Sequence, residues 1–300
     1  MKSSIQAELS EALPVSVAFF ELRVAVCPLS MWFVCRILTA AAFGSVMKSH
    51  RLVLCFFACT VLSYGADGVG LKIAPPADAE VIIDGTREML DAKWTYWEGP
   101  RFASALPIKW KIVDDIVDGG NCLMTDDRAG DGGKYGAADI VTKKAYRDFR
   151  LHIEFLVMNP RGNSGVYLQN RFEIQIQEGD KTKHGMGAVI NETESPYHAF
   201  AGLGKWNAYD IVFRAARFQD GKMVEKPLVS MYFNGQKVHT NVAIQKVWGG
   251  PNSGVDGGND GGKGITDTPQ GLKLQCEGHD VRYRNAWIKE LDLVKADTDF

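Results

Sequence analysis

The stretch 163–177, NSGVYLQNRFEIQIQ, sorts its side chains by parity. Val166, Leu168, Phe172, Ile174 and Ile176 hold even positions, whereas Tyr167, Gln169, Arg171, Glu173, Gln175 and Gln177 hold odd ones. Successive side chains of an extended chain point to opposite faces, so the aliphatic set faces a core and the polar set shares the other side. A carboxylate at Glu173, flanked by the guanidinium of Arg171 and the carboxamide of Gln175, has the parts to remove a proton, steady an oxyanion and bind hydroxyl groups. Burial would raise the Glu173 pKa toward that of a general base, and a neighbouring arginine would lower it. The same set would serve equally as a wet, salt-bridged strand, and parity alone does not choose.

Other residues could join such a site. Asn163-Ser164-Gly165 reads as a turn before the strand. Gly165 suits a position with no room for a side chain, and Asn163 and Ser164 offer polar groups to a ligand or to their own backbone. His279, in a turn after Gly278, titrates near neutrality and could shuttle protons, or be a plain exposed turn residue. Arg284 could clamp an oxyanion, or pair across strands with Glu154 or Glu173. Gln275 lies on the polar face of the strand before His279. Glu154 shares a face with His152. Tyr167, Trp206 and Trp248 are rings available for stacking, whereas Trp287 falls on the apolar parity and is assigned to the core.

These residues need strands to position them, and period-2 alternation dominates the chain. It runs through 149–155, 166–176, 209–215 and 272–277. A strand at 228–233 meets Asn234-Gly235, which suits a type I′ hairpin, and the chain returns over 238–242. A short strand at 81–85 precedes one or two helical turns around 88–94. No long segment carries a 3.6-residue period. The expected fold is all-β, a sandwich or jelly roll of antiparallel strands. Glycine, with 31 residues in 300, exceeds its usual share of about 7% and fits a turn-rich chain. The run 249–264, GGPNSGVDGGNDGGKG, reads as a flexible loop whose acid spacing matches no EF-hand.

A formal charge of −2 gives no electrostatic pull toward nucleic acid. Residues 47–66, MKSHRLVLCFFACTVLSYGA, are laid out like a signal peptide, with a positive start, an apolar run and small residues for cleavage. The run is too short to span a bilayer. The expectation is a periplasmic or secreted protein without an integral membrane segment in the mature chain; an uncleaved anchor is the alternative. Residues 1–46 read as an extension upstream of a true start at Met47, or as a genuine added segment. Residues 67–80 form a polar lead-in, and 81–296 the folded domain. Only Cys122 and Cys276 of the six cysteines lie beyond the leader, enough for one bridge or two buried thiols.

Several phrases together resemble the 3-keto-disaccharide hydrolase domain family. They are IIDGTREMLDAKW at 82–94, DFRLHIEF at 148–155 running into GNSGVYLQNRFEIQIQ, KWNAYDIVFRAARF at 205–218, MYFNGQKV at 231–238 and GLKLQCEGHDVRYRNAWIKEL at 271–291. The resemblance covers roughly 80–292, and the glycine-rich run at 249–264 departs from it. It implies a concanavalin A-like jelly-roll sandwich of two antiparallel sheets and a carbohydrate ligand. It also implies cleavage of sugars oxidised at C3, by C2 proton abstraction, elimination and hydration. Such chemistry needs a base near C2, a donor for the C3 oxygen and an acid for the leaving oxygen. Glu173 is then the expected base and Arg171 or Arg284 the electrophilic partner, with His279 as proton shuttle. Asn163, Ser164, Gln175, Gln275, Glu154, Tyr167 and Trp248 are the expected substrate contacts. The chemistry calls for no cofactor, although His184 and His198 on a rim loop leave room for a divalent metal. Two rivals stand beside this reading: a non-catalytic carbohydrate-binding sandwich, and a conventional glycosidase pairing Glu154 with Glu173.

Overall fold

Alternation of the kind seen in DFRLHIEF builds strands with one apolar face, and apolar faces must pair. The computed structural model describes residues 68–97, 107–125, 139–196, 198–248 and 264–300. The leader segments 1–46 and 47–66, and all but the last residue of the glycine-rich run, lie outside these residues. The elements are β1 (Glu80–Ile83), α1 (Arg87–Lys93), β2 (Trp94–Tyr96), β3 (Lys111–Asp114), β4 (Asn121–Met124), β5 (Ile140–Thr142), β6 (Asp148–Val157) and β7 (Asn163–Leu168). They continue with β8 (Phe172–Gln177), β9 (Trp206–Arg214), β10 (Arg217–Gln219), β11 (Lys222–Glu225), β12 (Leu228–Phe233), β13 (Gln236–Ala243), β14 (Lys273–Leu274) and β15 (Val281–Leu291). The single short helix among the described residues is capped by Thr86, whose Oγ1 accepts from the Met89 amide at 3.1 Å. No helix among the described residues is long and apolar enough to cross a membrane.

Two antiparallel sheets face each other. The larger has eight strands in the order β13-β12-β9-β6-β15-β4-β3, with β1 also on β15; the smaller has five, ordered β2-β5-β14-β7-β8. Between them, Phe149, Leu151, Ile153 and Phe155 of β6 and Tyr209, Ile211 and Phe213 of β9 meet Val166, Leu168, Phe172, Ile174 and Ile176 of β7 and β8. Phe172 and Phe213 join the sheets with ring centroids 5.7 Å apart. The β12–β13 hairpin turns at Asn234 and Gly235 with φ of 48° and 78°, as a type I′ turn requires. Cys122 and Cys276 are both buried, and neither forms a disulfide.

One irregularity moves a large residue. The β15–β6 register shifts between Arg284 and Trp287, and Asn285 takes φ 42°. A bulge of one residue exchanges the faces of everything after it. Val281 and Tyr283 point into the core before it, Ala286 and Ile288 after it. Trp287 is buried, as expected, but on the outer face of the larger sheet, stacked on His152 at 5.4 Å.

The lead-in covers that outer face. The Gly70 amide donates to Asp210 Oδ2 at 2.7 Å and the Lys72 amide to Glu154 Oε1 at 2.5 Å. The Ile73 carbonyl accepts from Asn285 Nδ2 at 3.1 Å and Trp287 Nε1 at 3.4 Å. Beneath it, His152 sits between Asp210, 2.7 Å from Nδ1, and Glu154, 3.6 Å from Nε2. Burial opposes charge on both partners. Nevertheless the two carboxylates raise the His152 pKa, and bonds from His152, Asn285, Arg284 and the Lys72 amide hold Glu154 at about 2.

Candidate active site

The outer face of the smaller sheet carries the other polar cluster, arranged in rows by strand pairing. Lys273 of β14 pairs with Tyr167 of β7, which pairs with Glu173 of β8. Two residues along, the Gln275 amide donates to the Gly165 carbonyl at 3.0 Å, and Gly165 pairs with Gln175. A Cβ at Gly165 would lie 2.2 Å from Glu173 Oε1, so the carboxylate rests in the space that the glycine leaves. Beyond β8 the chain at 187–190 runs along its edge, where the Gly187 amide donates to the Gln175 carbonyl at 2.9 Å and the Ile190 amide to that of Glu173 at 3.1 Å. β8 is thus the last strand of the smaller sheet, but this run covers its edge.

Electrostatics favour proton transfer here. Burial pushes the Glu173 carboxyl up to about 7; the Tyr167 hydroxyl and the Lys273 ammonium pull it down, while Asp139 and Glu277 add to the rise. Tyr167 is buried beside these acids, which raises its phenol well above the ordinary range and keeps it protonated. Lys273 is fully buried, 2.8 Å from Asp139 Oδ2, with its ammonium 3.5 Å from the Tyr167 ring centroid. Asp139 Oδ1 accepts from the Cys276 amide at 3.0 Å, which fixes the carboxylate that fixes the lysine. Gln275 Nε2 donates to Tyr167 Oη at 3.3 Å and Glu277 Oε1 at 2.7 Å. Gln175 Nε2 donates to Gln177 Oε1 at 3.0 Å. Three buried oxygens, Gln175 Oε1, Gln275 Oε1 and Asn163 Oδ1, have no hydrogen-bond partner among the described residues. An acceptor left unpaired in this way costs about 1–3 kcal/mol, which a donating ligand would recover.

An adjoining narrow pocket of about 10 Å³, room for one water, is lined by Arg171, Glu173, Glu192, Lys246 and Trp248 with the apolar Phe172 and Ile190. Trp248 Nε1 donates to Glu192 Oε1 at 2.7 Å, and the Lys246 ammonium lies 3.9 Å from its ring centroid. Arg171 donates from Nε to the Gly264 carbonyl at 2.6 Å and from Nη1 to that of Gln169 at 3.2 Å. Its guanidinium therefore frames the rim.

The structure gathers Glu173, Arg171, Tyr167, Gln175, Gln275, Asn163 and Trp248 on one side of the molecule. It separates the rest. Arg284 and Glu154 lie on the outer face of the larger sheet, with the core between them and Glu173. There Arg284 bonds Glu154 at 2.7 Å, Asp115 at 2.5 Å and Asp118 at 2.7 Å, beside an open cleft of about 410 Å³. Arg284 cannot serve Glu173 as electrophile, and Glu154 cannot form a glycosidase pair with it. Trp206 belongs to the same far face, its ring under Arg284 at 4.1 Å. Ser164 points into the core, where its hydroxyl donates to the Gln275 carbonyl at 2.6 Å and lies 2.5 Å from Tyr283 Oη, linking the two sheets. It is no ligand contact. The Tyr167 ring, underlain by Lys273, has no face free for stacking, and only its hydroxyl serves the site. His279 sits in the turn joining β14 to β15, past the end of the smaller sheet. Its carbonyl accepts from Thr125 Oγ1 at 2.5 Å. Sequence reasoning missed Lys273, Asp139 and Glu277. Lys273 and Glu277 share the parity of Gln275, the one signal that could have found them; Asp139 had none.

Residues 78–289 match the family described as the 3-keto-alpha-glucoside-1,2-lyase-like domain. A solved structure from Parabacteroides distasonis, titled as a candidate glycosyl hydrolase, is 25% identical with a TM-score of 0.57, covering 75% of this chain and 89% of that one. A second from the same organism, titled likewise, is 20% identical with a TM-score of 0.45, covering 71% and 100%. No curated protein sequence matches the chain. With its sandwich of antiparallel sheets and a match over residues 78–289, the chain belongs to the 3-keto-alpha-glucoside-1,2-lyase-like domain family, carbohydrate-active proteins on a jelly-roll fold.

Proposed function

We propose that the protein cleaves the glycosidic bond of 3-keto glycosides, with Glu173 as general base. The observation that carries the proposal is the Glu173 carboxyl seated over Gly165, held near pKa 7, on the face that carries the unpartnered oxygens of Gln175 and Gln275. A base with that pKa at neutral pH is well matched to removing a carbon acid proton. The C3 ketone acidifies the proton at C2. Glu173 takes that proton, and the electron pair moves to the C3 oxygen as an enolate. The enolate then re-forms the ketone and expels the C1 substituent, leaving a C1–C2 double bond. The departing oxygen recovers the proton from Glu173. Water adds across the double bond, hydroxyl to C1 and hydrogen to C2.

Tyr167 takes the part that sequence reasoning gave to Arg171 or Arg284. Its protonated phenol donates to the Glu173 carboxylate and turns to the enolate oxygen once that carboxyl has taken the C2 proton. Lys273, against the ring, positions it and offsets negative charge there. Trp248 and Arg171 line the narrow pocket beside Glu173, the side on which the leaving group would depart. Export to the periplasm or beyond, through the 47–66 leader, belongs to the same proposal.

Purified protein incubated with a 3-keto glucoside and with its parent glucoside tests this. Enol absorbance and released aglycone should appear from the oxidised sugar alone. Binding of either sugar without turnover would assign the fold to recognition only, and full activity in Glu173→Gln would remove the base.

A further inference from the structure

The unpartnered side-chain atoms of Gln275 and Gln175, on the face that carries Glu173, are both acceptors, and the amide nitrogen of each already donates a hydrogen bond. Gln275 is fixed in this sense. One hydrogen of its Nε2 goes to the Glu277 carboxylate at 2.7 Å and the other to Tyr167 Oη at 3.3 Å. An ionised carboxylate only accepts, so the amide cannot be turned around without losing that bond. Its Oε1 is left buried and unpaired. Gln175 stands on the other side of Gly165, with one Nε2 hydrogen given to Gln177 Oε1 at 3.0 Å and Oε1 likewise buried and unpaired. Both side chains are only 6% exposed. Their backbones stand two strand spacings apart, about 9–10 Å, so both amides can reach one sugar ring.

We propose that this pair of glutamines reads hydrogen-bond polarity: the ligand must present free hydroxyls that donate to Gln275 Oε1 and Gln175 Oε1. The inference rests on the carbohydrate reading and specifies which sugars pass. Rings alkylated, acylated or fluorinated at those two hydroxyls fail, because the substituent leaves a buried acceptor facing another acceptor. Rings with both hydroxyls free bind whatever the leaving group.

The test is calorimetric titration of Glu173→Gln protein, which does not consume its ligand, with a 3-keto glucoside and its 2-, 4- and 6-deoxyfluoro forms. Two of the three fluorines should each weaken binding about tenfold or more. Adding Gln275→Met or Gln175→Met should abolish the penalty at the hydroxyl that each glutamine reads, a coupling that a general loss of packing would not produce. Thermal unfolding of both variants guards against a folding defect in either. Fluorinated sugars that bind within twofold of the parent, or a penalty that survives both substitutions, would overturn the proposal. Tight, polarity-selective binding by wild-type protein that turns nothing over would sink the catalytic reading and leave this one standing. Absence of all sugar binding would sink both.

Discussion

Replacing Glu173 by glutamine should make the protein more stable while disabling it. The carboxyl titrates near 7 in the fold against 4.5 as a model value, because burial disfavours its charge. A folded pKa above the unfolded one means that the native state holds the proton more tightly. Below pH 4.5 both states are protonated and the group costs nothing. Between 4.5 and about 7 the native state loses relative stability as pH rises, and above 7 the loss is complete. A rise of that size corresponds to about 3 kcal/mol at full burial, and to roughly 1–3 kcal/mol once the partial exposure of the side chain is allowed for. Glu173→Gln removes the charge and keeps the shape. Urea unfolding should therefore show the variant 1–3 kcal/mol more stable than wild type at about pH 8, with an unchanged m-value, and equal to it at about pH 4. Equal stability at both pH values, or a variant weaker at pH 8, would refute the reasoning that the sheet strains this carboxylate for use.

Three further outcomes follow from the same geometry. The rate kcat/KM on a 3-keto glucoside should climb with pH and level off above about 7, as the base loses its proton; a flat profile from pH 5 to 8 would count against Glu173. Gly165→Ala should stay folded yet lose at least about tenfold in kcat, because the new Cβ occupies the seat of the carboxylate, 2.2 Å from Oε1; kcat within twofold of wild type would show the seat to be dispensable. Arg284→Met should destabilise the fold by about 3 kcal/mol or more in denaturant, since it strands Glu154 and Asp115 without their cation, with no change in KM at temperatures where the variant is folded.

The sequence made the strands and the Glu173 face legible because period-2 alternation is a local signal. Each odd residue of β8 announces its side by its neighbours. Which sheet a strand joins is a long-range fact, and no local pattern records it. β6 and β15 carry polar residues at the right parity, so Glu154 and Arg284 looked like companions of Glu173. They belong to the other layer, however, and the polar sides of two packed sheets point away from each other. The bulge at Asn285 escaped notice because one asparagine in a polar-aromatic run looks like any strand residue, yet it moved Trp287 across the sheet. Ser164 misled for a related reason: it read as a turn hydroxyl and proved to be a strand residue on the core side. Lys273 was visible as a polar residue beside Gln275, but its pairing with Asp139 spans more than a hundred residues.

The strip of chain from Gly68 to Ile73 redraws the limits of the folded unit. The family match begins at residue 78, so a fragment trimmed to that boundary would omit the strip. Asp210 and Glu154 would lose backbone donors, and the indole of Trp287 would lose its carbonyl and face water. A stretch without regular structure, outside any recognisable family border, thus acts as a wall of the building, and an expression boundary placed for tidiness at the first strand would take it down.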